Sequence, residues 1–495
     1  MKHEFPSTDA SNIIYNPTFD ELREFSKELE QNTEYSSPNY VSEIKSRSSS
    51  KTKNNVDDEF EGDDQKHISS ALERVFTEPF VCIDRKMGRH PRLSFTCRLF
   101  VPKRYARIAL SWATLLEPSD GSEPDLCTLH IPDWEETRIR IFPEDGVTYV
   151  LGSDYTGEAK KSFLRMFMYY AKKGDGLGLH AGSKQVCIYG KEGKIKEVGQ
   201  IFMGLSATGK TTLTCHGFGL SGDENANLVQ DDVCALFPDG LVAGSEGGGL
   251  YIKTIGLSRE DQPEIYDATV CNNAILENVA VGESGIVDFH DGTLTDNGRA
   301  SISRFDLPNA ADEIDLEAAH QIFFITRNPL MPPVAKLTEE EAAAAFMLGE
   351  SIETSAGDPT KAGEPIRVVG TNPFIIGCKG EEGNLFLKLI KKADVECYII
   401  NTGQVGTVNS KSVEIEHSIS ILREIARENI RWERDEKIGL SIPVEVPGMN
   451  IKEFYPPSYF ENYEQILGDL KSERREYLLQ FEKLDKKLTK TSLSL

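Results

Sequence analysis

Ile201-Phe202-Met203 followed by Gly204-Leu205-Ser206-Ala207-Thr208-Gly209-Lys210-Thr211 and then Thr212-Leu213-Thr214 is the stretch that decides the fold. An apolar run passes into a glycine loop and the loop into a helix start. Gly204, four residues, then Gly209-Lys210-Thr211 is the spacing of a phosphate cradle. Backbone N–H groups of the loop and the helix N-terminus face the anion, Lys210 reaches a terminal phosphate, and Thr211 can hold Mg²⁺. An ordinary glycine turn is the plainer alternative, and strand and helix context on both sides favours phosphate binding.

Such a loop needs a carboxylate at a neighbouring strand end to hold the metal directly or through water. Leu228-Val229-Gln230-Asp231-Asp232-Val233 supplies a pair, either for that purpose or as a solvated strand-end turn. Upstream, Tyr155-Thr156-Gly157-Glu158-Ala159-Lys160-Lys161 heads a predicted amphipathic helix, Ser162 to Lys172, with Phe163, Met166, Phe167 and Tyr170 at helical spacing. Two lysines at a helix start oppose the macrodipole, so they are either exposed surface charge or amines aimed at a metal, carboxylate or phosphate. His180, among small residues, reads as a structural imidazole or a ligand. Arg299 reads as a phosphate fork or the partner of a nearby acid.

The 495 residues suffice for two or three domains. A formal charge of −24 argues against a nucleic-acid surface, and an anionic substrate needs a local positive pocket such as the Lys210 loop. Nine scattered cysteines without a C-x-x-C pair predict reduced thiols. The start lacks the apolar core of a signal peptide and no run approaches the roughly eighteen apolar residues that span a bilayer. A soluble cytoplasmic protein without membrane partners is the expectation.

Along the chain, the polar stretch near 42–69 predicts a linker or mobile loop by composition. From Phe80, β-rich runs such as Leu93 to Val101 and Ile108-Ala109-Leu110 predict a mixed sheet. After Gly204, strands (Ile322 to Ile325, Val395 to Ile400) alternate with helices (Glu339 to Gly349, Leu385 to Lys392), which predicts an α/β nucleotide domain. The expected division is 1–200, a mixed-sheet substrate-side domain; 201–460, a P-loop nucleotide and metal domain; and 461–495, a charged helical extension whose charges are a solvated face.

In order, these pieces resemble the ATP-type phosphoenolpyruvate carboxykinase family over most of the chain. Ile14-Tyr15-Asn16-Pro17 and Arg92-Leu93-Ser94 look like its amino-terminal motifs, and Tyr155 to Lys161 is similar to its Tyr-Gly-Gly-Glu-Met-Lys-Lys segment. Gly204 to Thr212 looks like its phosphate loop. Lys253-Thr254-Ile255, Pro263-Glu264-Ile265-Tyr266, Leu276-Glu277-Asn278-Val279, Pro332-Pro333-Val334 and Asn401-Thr402-Gly403 recur there at similar intervals. The resemblance implies conversion of oxaloacetate and ATP to phosphoenolpyruvate, CO₂ and ADP. It further implies Mn²⁺ held by Lys161, His180 and Asp232, with Asp231 as the second acid of the pair, and Mg²⁺ with ATP on Thr211. Gly204, Leu205, Ser206, Ala207, Thr208, Gly209, Lys210, Thr211, Thr212 and Lys253 are the implied nucleotide contacts. Tyr155, Lys161, Arg299 and Arg47 are implied at the substrate, with Lys160 at the bridging phosphate and a closing lid between Ser351 and Gly363.

The chain also departs from the family. Ala207 replaces a glycine, Val233 a glutamate, and Gln262 a nucleotide-contacting acid; Gln404 to Lys411 carries no adenine-packing arginine, and Ser46-Arg47-Ser48-Ser49-Ser50-Lys51 is a degraded substrate-arginine motif. A related P-loop kinase with another donor or acceptor, or a non-catalytic nucleotide-binding paralogue, are the alternatives those departures leave.

Overall fold

A computed structural model describes residues 3–205, 208–352 and 364–491. Contacts divide it into two units, one built from Met1–Tyr170 with Ser245–Pro308, the other from Ala171–Gly244 with the described residues after Asn309. This division does not follow the sequence-order boundaries at 200 and 460. Residues 245–308 return to the first unit because their strands pair with Pro38–Tyr40.

Two large sheets dominate the first unit. The larger is mixed and runs Ile13–Tyr15, Phe80–Met87, Phe95–Pro102, Leu126–Ile131, Val147–Leu151, Arg138–Phe142, Thr52–Asn54. Helix Gly62–Thr77 lays Ile68, Ala71 and Val75 against Phe80, Phe100, Leu129 and Tyr149 on one of its faces. The smaller sheet runs Gly249–Lys253, Arg299–Ser303, Ile275–Glu277, Pro38–Tyr40, Glu30–Asn32. Its register sets Lys253 opposite Arg299 and Arg299 opposite Glu277.

Two expectations change here. Ile108-Ala109-Leu110 lie in helix Ala106–Leu115, not in a strand; three consecutive apolar residues fit either element, and the recurrence of Arg107, Ser111 and Thr114 at helical spacing is the signal that distinguishes them. The stretch 42–69 is more ordered than its composition predicts. Thr52–Asn54 pairs with the Arg138–Phe142 strand, and Asp64, buried, receives Arg138 Nη1 at 3.0 Å and Arg140 Nε at 2.7 Å. Charge-assisted hydrogen bonds do there what apolar side chains do elsewhere.

The second unit is a layered α/β structure around an eight-stranded mixed sheet. Its order is Asn225–Gln230, Ala181–Tyr189, Ile195–Met203, Gln321–Thr326, Glu396–Asn401, Val334–Leu337, Ser441–Pro443, Trp432–Arg434. Ile195–Met203, Gln321–Thr326 and Glu396–Asn401 are mutually parallel, and alternate residues enter opposite cores. Ile201, Met203, Ile322 and Phe324 face helices Glu339–Leu348 and Lys379–Lys392, whereas Phe202, Phe323 and Ile325 face Ile415–Ala426. Burial on both faces is why these strands read as continuous apolar runs. The carboxy-terminal helices, Tyr463–Leu479 and Lys486–Thr491, keep most of their charged residues exposed, as their charge predicts, with Arg474 the exception. Arg474 is buried and reaches Glu350 Oε2 at 2.6 Å, and burial is outweighed by Arg474 and Arg367 in holding the Glu350 carboxyl below its usual range.

Candidate active site

In the second unit, strand register gathers the predicted groups. Ala181 pairs with Met203 and Ser183 with Gln230. His180 before one strand, Gly204 after the next and Asp231-Asp232 after the third therefore lie at the same end of the sheet. That end carries the carboxyl termini of the parallel strands, where open α/β sheets bind ligands. Gly204, Leu205, Thr208 and Gly209 lead into helix Lys210–Cys215, which holds Lys210, Thr211 and Thr212; Ser206 and Ala207 lie outside the described residues. Gly209 adopts φ +100°, a conformation an L side chain resists. Thr402 Oγ1 donates to the Thr208 carbonyl at 2.7 Å and so anchors the loop to the end of strand Glu396–Asn401, two places along the sheet.

His180 is buried between two acceptors. Its Nδ1 lies 2.6 Å from the Thr371 carbonyl and its Nε2 lies 3.1 Å from Asp232 Oδ1. A carbonyl only accepts, so Nδ1 carries the proton and Nε2 is left facing the carboxylate. Two electron-rich atoms that close require a shared proton or cation. Lys210 Nζ already stands 3.0 Å from the same Oδ1. The Thr371 carbonyl is aimed by an unusual backbone, φ +50° at a β-branched residue after φ +59° at Gly370. Among the described residues no three His, Cys, Asp or Glu side chains cluster as a metal site, so His180 and Asp232 are a pair that needs a further donor.

The first unit brings the substrate-side candidates together. Tyr155, nearly buried, precedes helix Thr156–Lys173, whose observed span contains the predicted one. Lys160 is 2% exposed, with Nζ 3.1 Å from Glu246 Oε2 and 5.6 Å from the Tyr251 ring centre. Arg299 lies 5.5 Å from that ring centre and donates Nε and Nη2 to Asn297 Oδ1 at 3.1 and 2.8 Å. Asn297 Nδ2 in turn donates to the Tyr155 hydroxyl at 3.3 Å and the Lys45 carbonyl at 2.7 Å. One buried amide thus joins Tyr155, Arg299 and the segment that carries Arg47. Lys253, beside Arg299 by register, is a half-buried amine lowered in pKa first by desolvation and then by that guanidinium.

Arg47 and Lys161 are half-buried, and both charges act on Glu158. Burial pushes the Glu158 carboxyl up, against the Ser48 N–H, Arg165, Arg47 and Lys161, which pull it down. Burial also brings the Arg165 guanidinium down to about 10. The sequence reading missed Asn297, Glu246, Glu277 and the Thr371 carbonyl. The first three hydrogen-bond groups far away in the chain, and a backbone carbonyl has no sequence signal. Of the lid expected between Ser351 and Gly363, residues 353–363 lie outside the described residues.

Comparison with known proteins agrees with the resemblance. A family model described as phosphoenolpyruvate carboxykinase matches residues 14–452. Phosphoenolpyruvate carboxykinase (ATP) of Aeropyrum pernix is 36% identical over 418 residues, 83% of this chain and 83% of that protein. Those of Chelativorans sp. and Brucella suis biovar 1 are 31% identical over 325 residues and 32% over 324, covering 64% and 63% of this chain and 57% of each relative. The chain belongs to the ATP-type phosphoenolpyruvate carboxykinase family.

Proposed function

We propose that this chain catalyses the reaction of its family, the reversible conversion of oxaloacetate and ATP to phosphoenolpyruvate, CO₂ and ADP. The observation that carries the reading is the His180 arrangement, an imidazole with Nδ1–H spent on the Thr371 carbonyl and Nε2 facing Asp232 and the Lys210 loop. Imidazole nitrogen, carboxylate oxygen and an amine would hold a divalent cation, which the family resemblance makes Mn²⁺, and Lys161 is assigned as the amine from its place in the Tyr155 to Lys161 motif. Mg²⁺ belongs with ATP at Thr211. A divalent cation at such sites supplies positive charge beside a developing enolate or phosphoryl oxygen.

The chain's own residues do the rest. The Gly204 to Thr212 loop, including Ser206 and Ala207, cradles the triphosphate, and Lys253 adds a cation to it. Lys210 and Arg299 neutralise the phosphoryl group in flight, with Lys160 at the bridging oxygen. Tyr155 and Arg47 position oxaloacetate, and Asp231 orders water beside Asp232. The partners are these small molecules. Among the described residues no helix is long and apolar enough to cross a membrane; the cytoplasm is the proposed place of work.

A coupled assay of purified protein with oxaloacetate, Mn²⁺ and either ATP, GTP or pyrophosphate tests the reading. Turnover with ATP is expected. Turnover with another donor alone would change the nucleotide assignment, and silence with all three would remove the reaction.

A further inference from the structure

The segment that leads to Arg47 has little to bury, yet it is held. Asn278 Oδ1 accepts the Ser42 N–H at 2.9 Å, and Asn278 Nδ2 donates to Ser42 Oγ at 2.7 Å. The Asp154 carboxylate accepts the Glu43 and Ile44 N–H groups at 2.8 and 2.9 Å, and Glu158 accepts that of Ser48 at 2.5 Å. Asn278 is itself buried at φ +60°, a backbone state asparagine tolerates because its side chain bonds locally.

The residue before it grips the other substrate-side element. Glu277, 2% exposed, accepts through Oε1 the Thr156 N–H and Oγ1–H at 3.1 Å each and Arg107 Nη1 at 3.1 Å, and through Oε2 the Tyr251 hydroxyl. Arg107 also donates to the Asp154 carbonyl at 2.7 Å. We infer that Glu277 and Asn278 are positioning residues. Asn278 sets the Arg47 segment, Glu277 sets the helix start that carries Tyr155, Lys160 and Lys161, and one strand end registers the two. Adjacent residues on a rigid strand cannot drift apart, so the elements they hold keep a common frame. The kinetic consequence rests on the proposed reaction, whereas the ordering of the segment does not.

Asn278→Gly tests it, because glycine keeps the positive φ and removes only the amide. In the full-length variant the KM for oxaloacetate should rise roughly tenfold while the KM for ATP stays within about twofold. Amide exchange across Ser42 to Ser48 should accelerate about tenfold or more, with Lys210 to Cys215 unchanged. Asn278→Asp, which keeps the acceptor for the Ser42 N–H, should recover part of both effects. Glu277→Gln should lower kcat roughly tenfold at unchanged ATP affinity. Unchanged exchange in Asn278→Gly, or a parallel rise in both KM values, overturns the inference. Should the wild type not turn over oxaloacetate, the reaction assignment fails and the exchange comparison still decides the positioning role. Should Asn278→Gly not fold, Asn278→Asp provides that comparison.

Discussion

His180, Gly204 and Asp231 stand where the register of three neighbouring strands leaves them, whereas Tyr155, Arg299 and the Arg47 segment stand where buried polar side chains tie them. The second unit positions its groups with a sheet that is apolar on both faces. The first uses amides and carboxylates, Asn297, Asn278, Asp154 and Glu277, that reach across the chain. Hydrophobic burial is insensitive to protonation, but a polar network depends on every partner holding its charge and geometry. The placement of the substrate-side groups should therefore be the more easily perturbed by pH and by conservative substitution of the side chains that tie them.

The largest effect breaks the strand-end arrangement itself. His180→Ala should lower kcat on the order of a thousandfold, while equilibrium dialysis finds ATP bound as in the wild type. Next comes His130, fully buried in the first unit with Nε2 2.6 Å from the Ser153 carbonyl, two residues before Tyr155. Burial brings its pKa down to about 4, below the 6.5 of the unfolded chain. Between those values the unfolded state binds the extra proton, so stability is whole above pH 6.5 and falls as pH drops toward 4. The loss reaches about 3 kcal/mol. Urea unfolding at pH 7 and pH 5 should show about 2 kcal/mol of it, and His130→Gln should flatten the slope.

Arg299→Lys sharpens the contrast, since it keeps the charge and loses the two-pronged contact to Asn297. Its kcat/KM for oxaloacetate should fall about a hundredfold, measured at saturating ATP. The smallest effect probes the polar exception in the second unit. Lys184, fully buried, donates to the carbonyls of Leu213 and His216 at the end of helix Lys210–Cys215 and lies 3.9 Å from the Phe218 ring centre. Lys184→Met strands those carbonyls and should cost about 2 kcal/mol of stability by urea titration.

The uneven legibility of the two regions has the same origin. Ile201 to Thr214 announces strand, loop and helix because each neighbour in sequence is a neighbour in space, and Asp231-Asp232 follows its strand just as plainly. Residues 42–69 read as a linker because the partners that order them, Asn278, Asp154 and Arg140, lie far along the chain. Ile108 to Leu110 misled because a three-residue apolar run fits strand and helix alike, while the helical period of Arg107, Ser111 and Thr114 shows only over a longer window.

The sequence by itself determined the α/β alternation, the phosphate-loop spacing and the family. Those are properties of residue type and short-range order. Tertiary structure alone decided that Thr371 orients His180, that Asn297 joins Tyr155 to Arg299, and that the Arg47 segment is held. Each depends on hydrogen bonds between residues remote in the chain, whose distance and angle no local pattern encodes.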